Sequence, residues 1–289
     1  MLNVMKHRSA SVKKFILILT IFILIASSAF AFKWPWSKDK EENNLSITGS
    51  TTVLPIAQKA AEVYMNQNSD VNISIRGGGS GVGIAALIDG TVEIADASRP
   101  IKDKEIESAK EKDVNPYTNI VARDGIAVVV HPSNSIDKIS IDQIKGIYTG
   151  EINNWKQLGG KSEEIVVISR DNSSGTYAVF NKLTLDGAKV RQDAVTVASN
   201  NAAAQTVSQT PGAIGYIGLG YLSERVKALK VNGVKPTNAT VNSGDYTLAR
   251  PLFMYTDGKP EGLAKKFIDF IMSSEGQKIV EELGFVPVN

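Results

Sequence analysis

Short runs of alternating and continuous apolar residues, separated by turns of small hydroxyl residues, set the rhythm of this chain. Leu45-Ser46-Ile47-Thr48 alternates with a period of two and predicts a strand. Gly49-Ser50-Thr51-Thr52 then opens a helical pattern from Val53 to about Asn66, with Ile56, Ala60, Val63 and Tyr64 as its apolar face. Pro55 falls in the first turn, where a missing N–H costs nothing. Val71 to Ile75 is a second alternating strand, and Gly77-Gly78-Gly79-Ser80-Gly81-Val82-Gly83 leads it into a helix over Ile84 to Ile88. A strand over Val92 to Ala97 stops at Ser98-Arg99-Pro100, and a charged helix follows from Asp103 to about Lys112.

The second half repeats the order. Arg123-Asp124-Gly125 precedes Ile126 to Val130, the most apolar strand beyond the N-terminal region. A short helix begins at Ser140-Ile141-Asp142-Gln143-Ile144. The strand ending at Ser169-Arg170 turns through Asp171-Asn172-Ser173-Ser174-Gly175-Thr176 into a helix. Further strands are expected at Val195 to Ala198, Ala213 to Ile217, Lys227 to Val231 and Leu252 to Tyr255, with helices over Leu263 to Met272 and Gln277 to Leu283. Strand, small-residue turn, helix, repeated, is the pattern of an α/β protein with parallel strands. No solenoid period is visible.

The first 31 residues stand apart. Lys6, Arg8, Lys13 and Lys14 precede a continuous apolar run from Phe15 to Ile25 and an Ala29-Phe30-Ala31 end. That is the form of a secretory signal peptide cleaved after Ala31. The rival reading is an uncleaved membrane anchor, with Trp34 and Trp36 at the interface. Either places the rest of the chain outside the cytoplasm. Residues 32–44 read as a polar leader. The segment also accounts for the apparent basicity: the whole chain carries a net +2, while the part after Ala31 has 28 basic and 30 acidic residues, a net of −2. Nothing in that charge points to a nucleic-acid surface.

Three hydroxyl-rich turns carry the candidate chemistry: Gly49 to Thr52, Gly79 to Gly81, and Ser173 to Thr176. Each follows a strand and opens a helix, where unpaired backbone N–H groups and the positive end of the helix dipole make an anion seat. Arg170 adds a fork of donors suited to tetrahedral oxyanions. The bland reading is helix capping by Ser and Thr. Three such turns, one beside an arginine and one in a glycine cluster, favour a ligand.

Catalytic and nucleotide readings find little support. Gly83 is followed by Ile84 rather than Lys-Ser/Thr, no Gly-x-Gly-x-x-Gly can be read from Gly77 to Gly83, and Val82 stands where a hydrolase elbow needs glycine. His131 is the one histidine beyond the signal segment and sits at a strand end before Pro132. No acid or histidine cluster has metal-ligand spacing, and there are no cysteines for disulfides, thiolate metal sites or a lipid anchor. No cofactor is expected, and binding is favoured over catalysis.

The five segments Gly49 to Val53, Arg76 to Gly83, Ala97 to Pro100, Ser169 to Thr176 and Ala213 to Ile217, in this order, resemble the substrate-binding proteins of ABC-type phosphate importers, in their shorter variety. The resemblance spans nearly all of Leu45 to Asn289. It implies a two-lobed class II periplasmic-binding-protein fold, each lobe a mainly parallel sheet flanked by helices, joined by a two-crossing hinge. Lobe 1 would comprise 45–122 and 249–289, and lobe 2 would comprise 123–248. It also implies a monomer that delivers inorganic phosphate to a membrane permease. Ser50, Thr51, Ser80 and Ser98 would bind phosphate from one lobe, and Arg170, Ser174, Gly175 and Thr176 from the other. Gly81, Arg99, Asp171 and Ser173 would support them, with Asp171 pairing with Arg170. In the best-known members an aspartate holds the position of Ser98 and accepts the proton of hydrogen phosphate, which excludes sulfate. Serine there leaves a binder of another oxyanion (sulfate, molybdate or tungstate) as the alternative. An exported phosphoester hydrolase using Ser80 or Ser174 is the more distant one.

Overall fold

A computed structural model of the protein describes residues 43–288. The expected signal segment, and all but the end of the expected leader, lie outside the described residues. The chain order is β1 (Asn44–Gly49), α1 (Leu54–Gln67), β2 (Asn72–Gly77), α2 (Ser80–Ile88), β3 (Ile94–Ala97) and α3 (Asp103–Glu111), as the apolar periodicity predicts. Then come β4 (Pro116–Val130), β5 (Lys138–Ile139), α4 (Ile141–Thr149), β6 (Val166–Arg170) and α5 (Gly175–Phe180). The remainder is β7 (Val195–Val197), α6 (Asn200–Gln209), β8 (Ala213–Gly218), β9 (Lys227–Ala228), β10 (Lys230–Val231), α7 (Asn238–Ser243), β11 (Ala249–Asp257), α8 (Gly262–Met272) and α9 (Ser274–Glu282).

One sheet runs in the order β2-β1-β3-β11-β4-β8-β6-β7, with β9 also paired to β4. Its two ends are parallel: β1 lies between β2 and β3, and β6 between β7 and β8. The middle is antiparallel, through β11 and β4. The long strand β4 serves both halves, pairing with β11 over residues 116–125 and with β8 over residues 126–130. The apolar core divides at the same place. Ile47, Ile56, Ile94, Val121, Leu252 and Phe267 belong to one cluster, and Ile126, Val128, Ile147, Trp155, Phe180 and Tyr216 to another. In the second, the Phe180 and Tyr216 rings stack with centroids 3.9 Å apart.

Arg123-Asp124-Gly125, which the sequence pattern places just before the apolar run, lies inside one unbroken strand. Asp124 is fully buried and ion-paired with Arg250, and Gly125 sits where a Cβ would lie 2.8 Å from the Val241 Cγ2 atom. A polar residue and a glycine are used there for pairing and close packing, not for a bend. Helices α6 and α7 are not anticipated, because Asn-Asn-Ala-Ala-Ala and Asn-Ala-Thr-Val-Asn-Ser carry too few apolar residues to display a period. No helix among the described residues is long and apolar enough to cross a membrane.

Strand register places the three turns. Gly49 pairs with both Gly77 and Asp96, so β1, β2 and β3 end side by side and Ser50, Gly79-Ser80 and Ser98 emerge together. Arg170 pairs with Val197, which brings the start of α6 beside the β6 turn. Ligand sites of open parallel sheets gather at such carboxyl ends. Gly49 is the tightest joint in this arrangement: its φ is +148°, and a Cβ there would overlap the Asp96 carbonyl oxygen. Gly49→Ala is therefore expected to destabilise the protein by about 3 kcal/mol or more, read as a lower urea midpoint. An unchanged midpoint would contradict the register argument.

Candidate functional site

Each turn solves its own backbone problem first, and its hydroxyls divide between that task and the shared space. The Ser50 Oγ accepts from the Thr52 N–H at 3.1 Å, and the Ser174 Oγ caps α5 by accepting from the Tyr177 N–H at 3.1 Å. Ser174 thus plays the bland capping role anticipated for such turns, while Ser50 braces its own turn without capping α1. The Ser80 Oγ accepts from the Ser98 N–H at 3.0 Å and lies 3.4 Å from the Ser98 Oγ. Ser50, Ser80, Ser98, Ser174 and Thr176 are all at most 2% exposed, and Thr51 is 8% exposed.

The turns from the two halves of the sheet meet directly. A Cβ at Gly175 would overlap the Ser80 Oγ and lie 2.6 Å from the Ser98 Oγ, so only glycine allows this approach. The Ser173 hydroxyl, whose one proton is shared with the Asp171 Oδ1, reaches the Gly78 carbonyl at 2.9 Å, and the Gly81 N–H donates to the Ser173 carbonyl at 2.9 Å. Gly175 and Thr176, at the start of α5, bring N–H groups that have no helical carbonyl to bond. Thus Ser80, Ser98, Gly175 and Thr176 are brought together, with Ser173 and Gly81 as the contact between turns.

Arg170 lies at the centre. Its Nε donates to the Val197 carbonyl and its Nη2 to the Ala198 carbonyl, each at 3.0 Å, and Nη2 reaches the Thr51 Oγ1 at 3.3 Å. Nη1 is buried and has no protein partner. Burial pulls the guanidinium below its usual range, a shift that nearby Tyr216 and the Asp171 charge oppose. The expected Arg170–Asp171 pairing does not form. The Asp171 Oδ1 instead accepts from the Ser173 N–H at 2.8 Å and from the Ser173 hydroxyl, stiffening the turn. Arg99 likewise faces away from ligand chemistry, in a two-pronged bond to Glu105 at 2.8 and 2.6 Å.

Four neighbours were not singled out by sequence. The Arg250 Nε and Nη2 donate to the Asp124 Oδ2 at 3.1 and 2.8 Å, its Nη1 donates to the Ser98 carbonyl, and its Nη2 lies within 3.1 Å of Thr52 and 3.0 Å of Thr176. Burial raises the Asp124 carboxyl, while Arg250 and the Leu219 and Gly125 N–H groups pull it back. Asn200, fully buried, donates to Thr51 and Thr52. Tyr221 donates to the Thr51 carbonyl, and burial raises its phenol to about 12. The available signals were slight: a second Arg-Pro at 250–251, and Ser199 as an N-cap before Asn200.

The charge balance follows. Arg250 is neutralised by Asp124, and among the described residues Arg170 has no ion-paired carboxylate. Asp96 is buried, its Oδ1 unpartnered, and burial pushes its carboxyl well above the usual range, towards the neutral form. The result is a buried cation, N–H donors at two helix starts and a ring of hydroxyls, which together call for a small anion. No group of His, Cys, Asp or Glu among the described residues could hold a metal.

Residues 37–275 match the family model of the PBP superfamily domain. The chain is 39% identical over 247 residues to the phosphate-binding protein PstS of Bacillus subtilis, covering 85% of this chain and 81% of that one. It belongs to the phosphate-binding protein family. It is also 38% identical over 259 residues to PstS of Borreliella burgdorferi, covering 86% and 91% of the two chains. Among solved structures, it is similar to a Clostridium perfringens protein with bound phosphate, provisionally assigned as a phosphate ABC transporter substrate-binding protein. That match has a TM-score of 0.80, 36% identity, and covers 86% of this chain and all of the other. The architecture is therefore the two-lobed periplasmic-binding-protein fold expected from the resemblance.

Asp96 supplies a test of the site's electrostatics. Its native carboxyl keeps a proton that the unfolded chain releases above about pH 4. Stability should thus fall as pH rises through the interval between the ordinary and the raised values. Asp96→Asn is expected to be more stable than the parent at neutral pH by about 1–3 kcal/mol, with the difference vanishing as pH falls towards about 4. Urea unfolding at several pH values measures it, and a gap that widens on acidification would contradict the burial argument.

Proposed function

We propose that this protein captures inorganic phosphate outside the cytoplasm and delivers it to an ABC-type permease for import. The observation that carries the reading is Arg170, a buried guanidinium bonded to backbone carbonyls and a hydroxyl but to no carboxylate, at a meeting of two helix starts. An uncompensated buried charge is costly, and a dianion with four oxygens removes that cost while using every nearby donor. The printed descriptions of the relatives, as phosphate-binding and phosphate-transport proteins, support the same ligand.

In this reading the lobes are 45–122 with 249–289, and 123–248, and they close on the anion about the crossings near Ala122 and Arg250. Thr51, Ser80 and Ser98 bind from the first lobe, with Ser50 holding its turn. Arg170, Gly175 and Thr176 bind from the second, with Ser174 as both cap and ligand neighbour. Gly81, Ser173, Asp171 and Arg99 act through these residues. Closure is a population shift that the anion drives by bonding both lobes at once. Ser80 and Ser98 are able to accept as well as donate, so they take the proton of hydrogen phosphate in place of a carboxylate. The N-terminal segment exports the chain as a cleaved signal or keeps it as a tether. The protein acts as a monomer, turns over no substrate, and uses no metal, cofactor or nucleic acid.

Arg170→Ala is expected to cost at least about 2 kcal/mol of phosphate binding, measured by calorimetry on the folded variant. Unchanged affinity would remove the assignment.

A further inference from the structure

The hydrogen-bond chain behind the anion site has a fixed direction, and its direction decides what the site can present. The Gly218 N–H donates to the Asn200 Oδ1 at 3.2 Å. A backbone N–H has only a proton to offer, so this bond settles the orientation of the Asn200 amide and turns its Nδ2 towards the threonines. Nδ2 then donates one hydrogen to the Thr51 Oγ1 at 3.2 Å and the other to the Thr52 Oγ1 at 2.9 Å. Arg250 is oriented from its other side by Asp124, whose own Oδ1 accepts from the Leu219 N–H at 2.9 Å. A guanidinium cannot accept. The Nη2 hydrogen not taken by Asp124 is shared between the Oγ1 atoms of Thr52 and Thr176.

The consequences follow by counting lone pairs. The Thr52 Oγ1 takes a full hydrogen from Asn200 and a share of the Arg250 hydrogen, so both of its lone pairs are engaged, whereas before their mutual contact the Thr176 Oγ1 is engaged by the Arg250 share alone; in that 3.1 Å contact Thr52 is the better placed donor. The Thr176 Oγ1 then receives Thr52 and Arg250, and its own proton has no protein acceptor among the described residues. The Thr51 Oγ1 receives Asn200 and the Nη2 of Arg170, and its proton is in the same position. Both hydroxyls are left with an O–H to give and no lone pair to offer.

We propose that Asn200, Thr52 and Arg250 are positioning residues that set the proton direction of the anion site, committing Thr51 and Thr176 to donate. Resting on the phosphate reading above, this makes the Thr51–Thr176–Arg170 side donor-only. An oxyanion must present unprotonated oxygens there, and any proton it carries must turn towards Ser80 and Ser98. The bound phosphate is thereby oriented as well as held, and a fully ionised oxyanion is rejected, if at all, on the serine side alone.

Two measurements test this. Thr52→Val keeps the volume and removes the relaying hydroxyl. It is expected to weaken inorganic phosphate about tenfold, the worth of one hydrogen bond to a charged group, and Thr52→Ser is expected to restore the parental affinity. Parental affinity in Thr52→Val, or equal weakening in Thr52→Ser, would overturn the proposal, since the methyl or nothing at all would then matter. The second measurement needs no variant. In the phosphate-saturated parent protein, nuclear magnetic resonance should detect through-hydrogen-bond coupling from the Thr51 and Thr176 hydroxyl protons to phosphorus. A Thr176 hydroxyl proton observed without that coupling would also overturn it. Failure of the parent chain to bind phosphate would instead strike the functional reading and is seen separately in the same titration.

Discussion

A buried positive charge without a protein counter-charge is the constraint on which the rest of the site depends. Arg170 is held by the Val197 and Ala198 carbonyls, which fix its plane without cancelling its charge. Those carbonyls are available because β7 lies parallel to β6 in a register that pairs Arg170 with Val197. The nearby acids are each diverted. Asp171 is spent on Ser173, Asp124 on Arg250, and Asp96 is pushed towards its neutral form by burial. The fold thus keeps a cation to which none of these carboxylates is bonded, which is the condition for binding an anion strongly in a desolvated place.

The second arginine has the opposite design. Arg250 is neutralised by Asp124, and both stand on the two long central strands, directly paired as neighbours in the sheet. From there its guanidinium touches Ser98 and Thr52 on one side and Thr176 on the other. It therefore ties the turns of both halves to the two central strands. In the proposed reading, one arginine supplies charge to the ligand and the other supplies geometry and proton direction to the hydroxyls.

Much of this was visible in the residues. The three turns, their order, Arg170 and the alternation of strand and helix are local signals, because capping residues and apolar periods act over a few positions. The pairings that complete the site are not local. Arg250 meets Asp124 across 126 residues, and Asn200 meets Thr51 across 149. Asp124 and Gly125 are accommodated inside a strand because Arg250, Leu219 and Val241 arrive from distant segments to satisfy the one and pack on the other. Asp171 was expected on Arg170, but its Oδ1 is taken by the N–H and hydroxyl of Ser173 two residues on. Ser174 illustrates the reverse case, where the modest capping role was also real.

The most direct test of the central claim is isothermal titration of the protein with phosphate and with sulfate in parallel, at one ionic strength. The account predicts saturable binding of one phosphate per chain, and phosphate binding that persists in excess sulfate. The absence of phosphate binding, or its displacement by sulfate at comparable concentration, would contradict it.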